Sequence, residues 1–203
     1  MREHVLVPYP DTLEREPTAT HCRSTLLVTS IQALKRHGHY DRYVRAISPR
    51  HLQEIVSSSG AGVWIPIDVG VAHYAACDTL DLPPDEILAL GGEVVHALQR
   101  TFIGSVLKST TSGIGISPLA GIEKFASVRA RSIKGGGVRV IRFGPKDVRV
   151  DFVGEPFAAI RYFRVGYRGF LQAGCEFFSR RVIVAELEAF RSPTTLGYRI
   201  AWV

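Results

Sequence analysis

Val138-Arg-Val-Ile-Arg-Phe143 and Val148-Arg-Val-Asp-Phe-Val153 alternate apolar with charged residues, and Gly144-Pro145-Lys146-Asp147 stands between them. A period of two sends successive side chains to opposite faces, so the two runs are half-buried antiparallel strands joined by a tight turn. Downstream, Val182 to Phe190 and Thr195 to Trp202 form a second hairpin around Arg191-Ser192-Pro193-Thr194. Between the hairpins the period lengthens. Pro156 opens a helix to about Gly174 that turns Phe157, Ile160, Phe163, Tyr167, Phe170 and Leu171 inward.

Upstream of Val138 the pattern is helical. Leu27, Ile31 and Leu34 share one face of a helix from Ser24 to His37, with Ser24 as candidate cap and His37-Gly38-His39 as its end. Short helices follow over Tyr40 to Ile47 and, behind Pro49, to Ser57. Trp64-Ile65-Pro66-Ile67 is an extended connector into a helix capped by Asp68 and running to about Asp78. Leu82-Pro83-Pro84-Asp85-Glu86 starts a further helix, its acids placed where the helix dipole favours them, and Ile87, Gly91, Val94, Leu98 and Phe102 sustain one face. Ser109 to Pro118 breaks the pattern, and Leu119 to Ala130 returns to helix. The fold class is α+β: N-terminal helices packed on a C-terminal four-stranded antiparallel sheet of order β-β-α-β-β. Residues 1–23, with Pro8, Pro10 and Pro17, read as an extended arm with Val5 to Val7 as a candidate short strand. Residues 24–203 read as a single domain.

The 203 residues are 46% hydrophobic and 22% charged, which excludes disordered and collagen-like chains. The formal net charge of +6 is uneven, because Lys124 to Arg181 holds 13 Lys/Arg against 4 Asp/Glu, or +9, leaving 12 against 15, or −3, elsewhere. Arg139, Arg142 and Arg149 are expected to point outward from one sheet face. The excess suits nucleic acid, an acidic partner or an anionic membrane surface, or else a solvated face whose arginine stems cover apolar surface. Cys22, Cys77 and Cys175 are odd in number and far apart, which fits neither a disulfide framework nor a cysteine-rich zinc site. The N-terminus lacks a signal-peptide pattern, and no apolar run approaches the roughly 18 residues of a membrane span. A reducing cytoplasm is the expected location.

Motifs of reactive chemistry are sparse. His73 and Cys77 stand at i, i+4, a spacing able to place two metal ligands on one helix face, but no second pair accompanies them. Ser112-Gly-Ile-Gly-Ile-Ser117 and Gly135-Gly136-Gly137 lack the remaining residues of a phosphate or dinucleotide loop and read as turns. His96 falls on the polar face of its helix. No nucleophile, base and orienting group can be named together, so no catalytic residue is assigned and the chain is read as non-enzymatic. Trp64, Tyr74, Phe102, Phe125, Tyr162, Phe163 and Tyr167 lie on elements expected to pack around the sheet, where an apolar cavity lined by rings would suit a small molecule.

The element order from Arg23 to Trp202 resembles the haem nitric oxide/oxygen binding fold, shared with vinyl-reductase-type ligand domains and with subunits of the TRAPP tethering complex. Pro84-Asp-Glu-Ile-Leu-Ala-Leu-Gly-Gly-Glu-Val-Val-His-Ala-Leu-Gln-Arg-Thr-Phe102 and Arg161-Tyr-Phe-Arg-Val-Gly-Tyr-Arg-Gly-Phe170 carry the likeness. The wording around Trp64-Ile-Pro66 and Arg161-Tyr-Phe-Arg164 is also similar to an uncharacterised myxobacterial domain family. The resemblance implies a proximal histidine shortly before the first strand and a Y-x-S-x-R motif for the haem propionates. Here those positions fall on Phe125 or Ala126 and on Phe152, Gly154 and Pro156. No haem, other cofactor or metal is therefore expected. The leading expectation is a sensory or scaffolding module that binds a small hydrophobic ligand or self-associates, with Trp64, Tyr74, Phe102 and Tyr162 lining the pocket. The alternatives are an assembly domain of TRAPP-subunit type without ligand, as a homodimer or with an acidic protein partner, and nucleic-acid binding through the basic half.

Overall fold

A computed structural model describes residues 3–59, 62–98 and 118–203. Strand β1 (His4–Val7) leads through a 3-10 turn at Asp11–Glu14 to β2 (His21–Arg23), followed by helices α1 (Ser24–Arg36), α2 (Tyr40–Ala46) and α3 (Pro49–Ser57). Strand β3 (Trp64–Pro66) precedes α4 (Ile67–Asp78), α5 (Pro84–Leu98) and α6 (Pro118–Ser132). The remainder is β4 (Ile133–Lys134), β5 (Gly137–Gly144), β6 (Asp147–Val153), α7 (Arg161–Glu176), β7 (Val182–Glu186) and β8 (Thr195–Trp202).

The main sheet has five strands, in the order β1-β5-β6-β8-β7, where the alternation predicted four. The arm supplies the fifth: Val5 stands opposite Ile141 and Val7 opposite Val140, covering an edge that would otherwise expose unpaired backbone groups. A second, three-stranded sheet, β3-β2-β4, joins the connector at Trp64–Pro66 to the end of α6. Its strands are two or three residues long, too short to carry a readable period.

Register divides the main sheet into two faces. Val138 pairs with Phe152 and Val140 with Val150. Across β8 the row continues through Leu196, Tyr198 and Ile200. This apolar face meets α7. The opposite face carries Arg139 against Asp151 and Arg149 against both Ile141 and Arg199. Arg142 does not share it: it stands opposite Val148, three residues from Arg139 and so of opposite parity, and its Nε donates to Gly144 O at 2.9 Å. Asp151 is only 2% exposed because Arg139 and Arg149 converge on it at 2.9 and 3.0 Å. The rings of Tyr9 and Phe190 in turn lie 4.7 and 4.3 Å from those guanidinium groups. Arg164, Arg191 and Arg199 likewise meet Glu186 or Asp147. Within Lys124 to Arg181, Arg129, Arg139, Arg149 and Arg164 are thus paired with carboxylates.

Several local expectations change: Asp68 lies in the first turn of α4, whose cap position is Pro66, and β7 ends at Glu186 instead of Phe190. Ser24 is the first residue of α1 rather than its cap, and its hydroxyl donates to Ser58 O at 2.8 Å, tying α1 to the end of α3. Pro156 opens a 3-10 turn, Pro156–Ala159, not the long helix. The backbone at Ile160 is extended, and α7 begins at Arg161. Helix α5 lies on α7 with the backbones touching, since a Cβ on Gly91 would collide with Gly166 O and one on Gly169 with Leu88 O. That approach brings both helices close over the sheet.

Candidate functional site

The centre of the protein is a chain of aromatic rings. Tyr74 of α4 stands edge-on to Phe157 and to Phe163, at 4.9 Å between centroids in each case. Phe163, Tyr167 and Phe170 stack down one face of α7 at successive spacings of 5.3 Å. Phe125 of α6 reaches Phe170, and Phe152 of β6 reaches Tyr167. Positions 163, 167 and 170 follow the i, i+4, i+7 rule that puts side chains on one helical stripe.

Two small, partly open cavities adjoin these rings. One, of about 50 Å³, lies among α1, α4, α5 and α7 and is bounded by Ser30, Tyr74, Leu90, Tyr162 and Phe163. The other, of about 70 Å³, reaches α6 and is bounded by Leu26, Phe125, Arg129, Ser132, Phe157 and Tyr167. Tyr74, Val94, Phe163, Tyr167 and Phe170 belong to both walls. Of the residues expected to line a pocket, Tyr74 and Tyr162 are brought together here, and Phe102 lies outside the described residues, as does the Ser112–Ser117 loop. Trp64 is elsewhere. On β3 its ring is approached by Arg23 at 4.1 Å and Lys134 at 4.8 Å, and it lines neither cavity.

Arg129 is the site residue that sequence reasoning passed over. It lies seven residues after Ile122 and three after Ala126, both buried, so the helical period sets a charge in the apolar stripe of α6. Its Nη1 donates to Gly135 O at 2.8 Å and its Nη2 lies 3.4 Å from Glu155 Oε2. Both side chains are more than nine-tenths buried. Burial pushes the Glu155 carboxyl above its ordinary pKa, against the lowering pull of Arg129.

The pair His73 and Cys77 forms part of the hydrogen-bonded core. His73 is fully buried, with Nδ1 at 2.7 Å from Tyr43 Oη and Nε2 at 3.0 Å from Ser30 Oγ. Cys77 Sγ lies 3.8 Å from the same Nε2. Desolvation lowers the His73 pKa to about 3 and raises the Cys77 thiol well above its usual value. Among the described residues no group of three or more histidine, cysteine or carboxylate side chains is arranged to hold a metal. His96 is exposed, its ring edge-on to Phe177. No helix among the described residues is long and apolar enough to cross a membrane.

Among solved structures, the chain is similar to the Fe(II) unliganded H-NOX protein from K. algicida, at a TM-score of 0.63 and 12% identity over 89% of this chain and 96% of that one. A variant of the T. tengcongensis H-NOX protein matches at a TM-score of 0.57 and 13% identity, over 89% of this chain and 97% of that one. An H-NOX structure described for the mechanism of H-NOX activation matches at 0.54 and 14%, over 89% and 96%. No family model matches the chain. No curated protein matches it either. At these identities the likeness is one of fold: the chain has the haem-NO-binding-like α+β fold.

The side chains present do not fit the haem that this fold implies. Of the seven histidines, none lines either cavity. At the position where the resemblance expects the proximal ligand, Phe125 presses its ring tip on Gly174, where a Cβ would collide with it. Gly154, in the expected propionate segment, is covered by Pro17, whose carbonyl a Cβ there would strike. Arg129 brings a guanidinium towards this segment, but Glu155 and Gly135 already engage it.

Proposed function

We propose that the chain is a non-enzymatic sensory module that takes a small apolar molecule, without haem, between its helices and its sheet. The observation that carries this reading is the pair of cavities walled by Tyr74, Phe163, Tyr167 and Phe170, where helices of the N-terminal half meet α7. Ring-lined, mostly apolar concavities are the usual form of small-molecule sites. Tyr74 and Tyr162 are the contact residues in this reading. The non-enzymatic part is supported by the fate of the reactive groups: burial pushes the Cys22 and Cys175 thiols up to about 12, and both nitrogens of His73 are engaged. Thiols held so high are poor nucleophiles at neutral pH. Its similarity to H-NOX structures supports the sensory part.

The test has two arms. Hemin added to the purified protein should keep the spectrum of free hemin, and a stoichiometric Soret band with histidine-ligated iron overturns the haem-free reading. Dissolved xenon, which enters dry apolar cavities, should give a saturable shift in xenon NMR. Absence of such a shift removes the ligand-binding reading.

A second reading, self-association, is favoured by one feature. β7 is one of the two edge strands of the main sheet among the described residues, and Ile183 on it is 59% exposed. Sedimentation across a hundredfold range of concentration should then show a dimer that Ile183→Lys dissolves.

A further inference from the structure

The larger cavity is not uniformly apolar. Arg129, itself part of its wall, is 7% exposed, and its Nε has no hydrogen-bond partner. Glu155, 2% exposed, stands behind Arg129 rather than in the wall, and its Oε1 has none either. Here an unpaired donor and an unpaired acceptor belong to two side chains already in contact, as they also do at Arg139–Asp151 and Arg164–Glu186, but only Arg129 among them borders a cavity. Gly136 enforces the arrangement, since a Cβ there would meet Arg129 Nη2 at 2.9 Å. Apart from Ser132 and the hydroxyl groups of Tyr74 and Tyr167, the wall is hydrocarbon and ring, including Phe125, Val128, Ile133 and Phe170.

We infer that this cavity binds a short monocarboxylic acid, its carboxyl group accepting from Arg129 Nε and donating to Glu155 Oε1, its hydrocarbon end lying against Phe125, Phe163 and Phe170. A carboxyl group presents an acceptor and a donor on adjacent atoms, and guanidinium is the side chain best suited to it. One proton shared between the ligand carboxyl and Glu155 leaves the buried group of three neutral overall. The direction of the Glu155 shift, upward through burial, agrees with a carboxyl poised to share a proton. Size follows from the space: a water takes about 10–15 Å³ of such volume, so about 70 Å³ suits roughly five or six non-hydrogen atoms. Isobutyric acid is of that size.

This inference rests on the reading of the cavities as a ligand site, and its test separates the two. Isobutyrate, isobutanol and isobutyramide are titrated against the protein by calorimetry and thermal unfolding. Isobutyrate should bind at least about tenfold more tightly than isobutanol, a difference equal to about 1.4 kcal/mol. Because either single substitution would strand a buried charge, the test variant is the double Arg129→Met/Glu155→Leu, which replaces the pair by apolar side chains. It should fold and lose the preference for the acid. Equal binding of acid and alcohol to the natural protein overturns the inference and leaves the cavity reading intact, as does tighter binding of the amide than of the acid. An acid preference that survives in the double variant also overturns it. If none of the three binds, both readings fail.

Discussion

Gly91 of α5 and Gly166 of α7 meet asymmetrically: a Cβ on Gly91 would overlap the Gly166 carbonyl, whereas one on Gly166 would find Ile87 Cγ2 at 3.7 Å and Ile87 O at 3.9 Å, both ordinary contacts. The first collision is with backbone, which cannot rotate away. Gly91→Ala should therefore destabilise the protein by about 1–3 kcal/mol or more, the range for overpacking a tight interface. Gly166→Ala should be neutral or stabilising, by up to about 1 kcal/mol, because alanine costs less in a helix interior than glycine. Urea unfolding of the two variants checks the order, and equal effects would contradict the close approach of the helices.

His73 sets an acid limit on stability. In the folded chain it stays neutral down to about pH 3, because its fully buried ring cannot afford a charge, whereas unfolded it takes a proton below its ordinary 6.5. The unfolded state thus binds more protons between those values. Stability is full above pH 6.5 and falls as pH drops towards 3, by up to about 1.4 kcal/mol per pH unit. The lowered carboxyl of Glu93 beside His37 and Arg36 acts in the same direction, present above its unfolded value and lost as acid protonates it. His73→Gln should be less stable at neutral pH but show a shallower acid slope. A slope unchanged by the substitution would remove His73 from the account.

Asp151 and Arg199 offer a contrast between buried and exposed charge on one sheet face. Asp151 is buried beneath Arg139 and Arg149, so Asp151→Ala strands two guanidinium groups and should cost about 3 kcal/mol, reduced somewhat by the partial exposure of Arg139. Arg199 pairs with Asp147 at 2.6 Å, but its side chain is 57% exposed. Arg199→Ala should leave the unfolding temperature close to that of the natural protein. Thermal unfolding at low and high salt checks both, and only the Arg199 effect should shrink with salt.

These elements also show what a sequence makes legible. The alternation in β5 and β6 is visible because each strand has one buried face, and the helices because α1 and α7 each carry a long apolar stripe. β1 was harder to place, since its pairing with β5 depends on residues some 135 positions away. The three short strands of the second sheet carry no period at all, so Trp64 read as a ring free to line a pocket instead of one held between Arg23 and Lys134. Arg129 was hidden for a different reason. A charged residue on a helix is ordinarily solvated, and the partner that keeps this one inside, Glu155, lies three strands further along the chain, between the end of β6 and Pro156. Its position in phase with Ile122 and Ala126 was the available signal.

Trp64 and Tyr74, expected to line one pocket, stand at two separate places. Removing Trp64 takes away two cation–ring contacts at the β2–β3–β4 sheet, each worth about 0.5–1 kcal/mol at a partly exposed site, and touches neither cavity. Trp64→Ala should therefore cost about 1–2 kcal/mol and leave the xenon shift as it was. Tyr74 stands in both cavity walls and against Phe157 and Phe163. Tyr74→Ala should cost about 3–5 kcal/mol, as for other large aromatic truncations in a core. It should also join the two spaces, so that xenon binds more tightly and with a different limiting shift. A Trp64→Ala protein with an altered xenon signal would instead move the site to the small sheet, and a Tyr74→Ala protein with an unaltered one would take Tyr74 out of it.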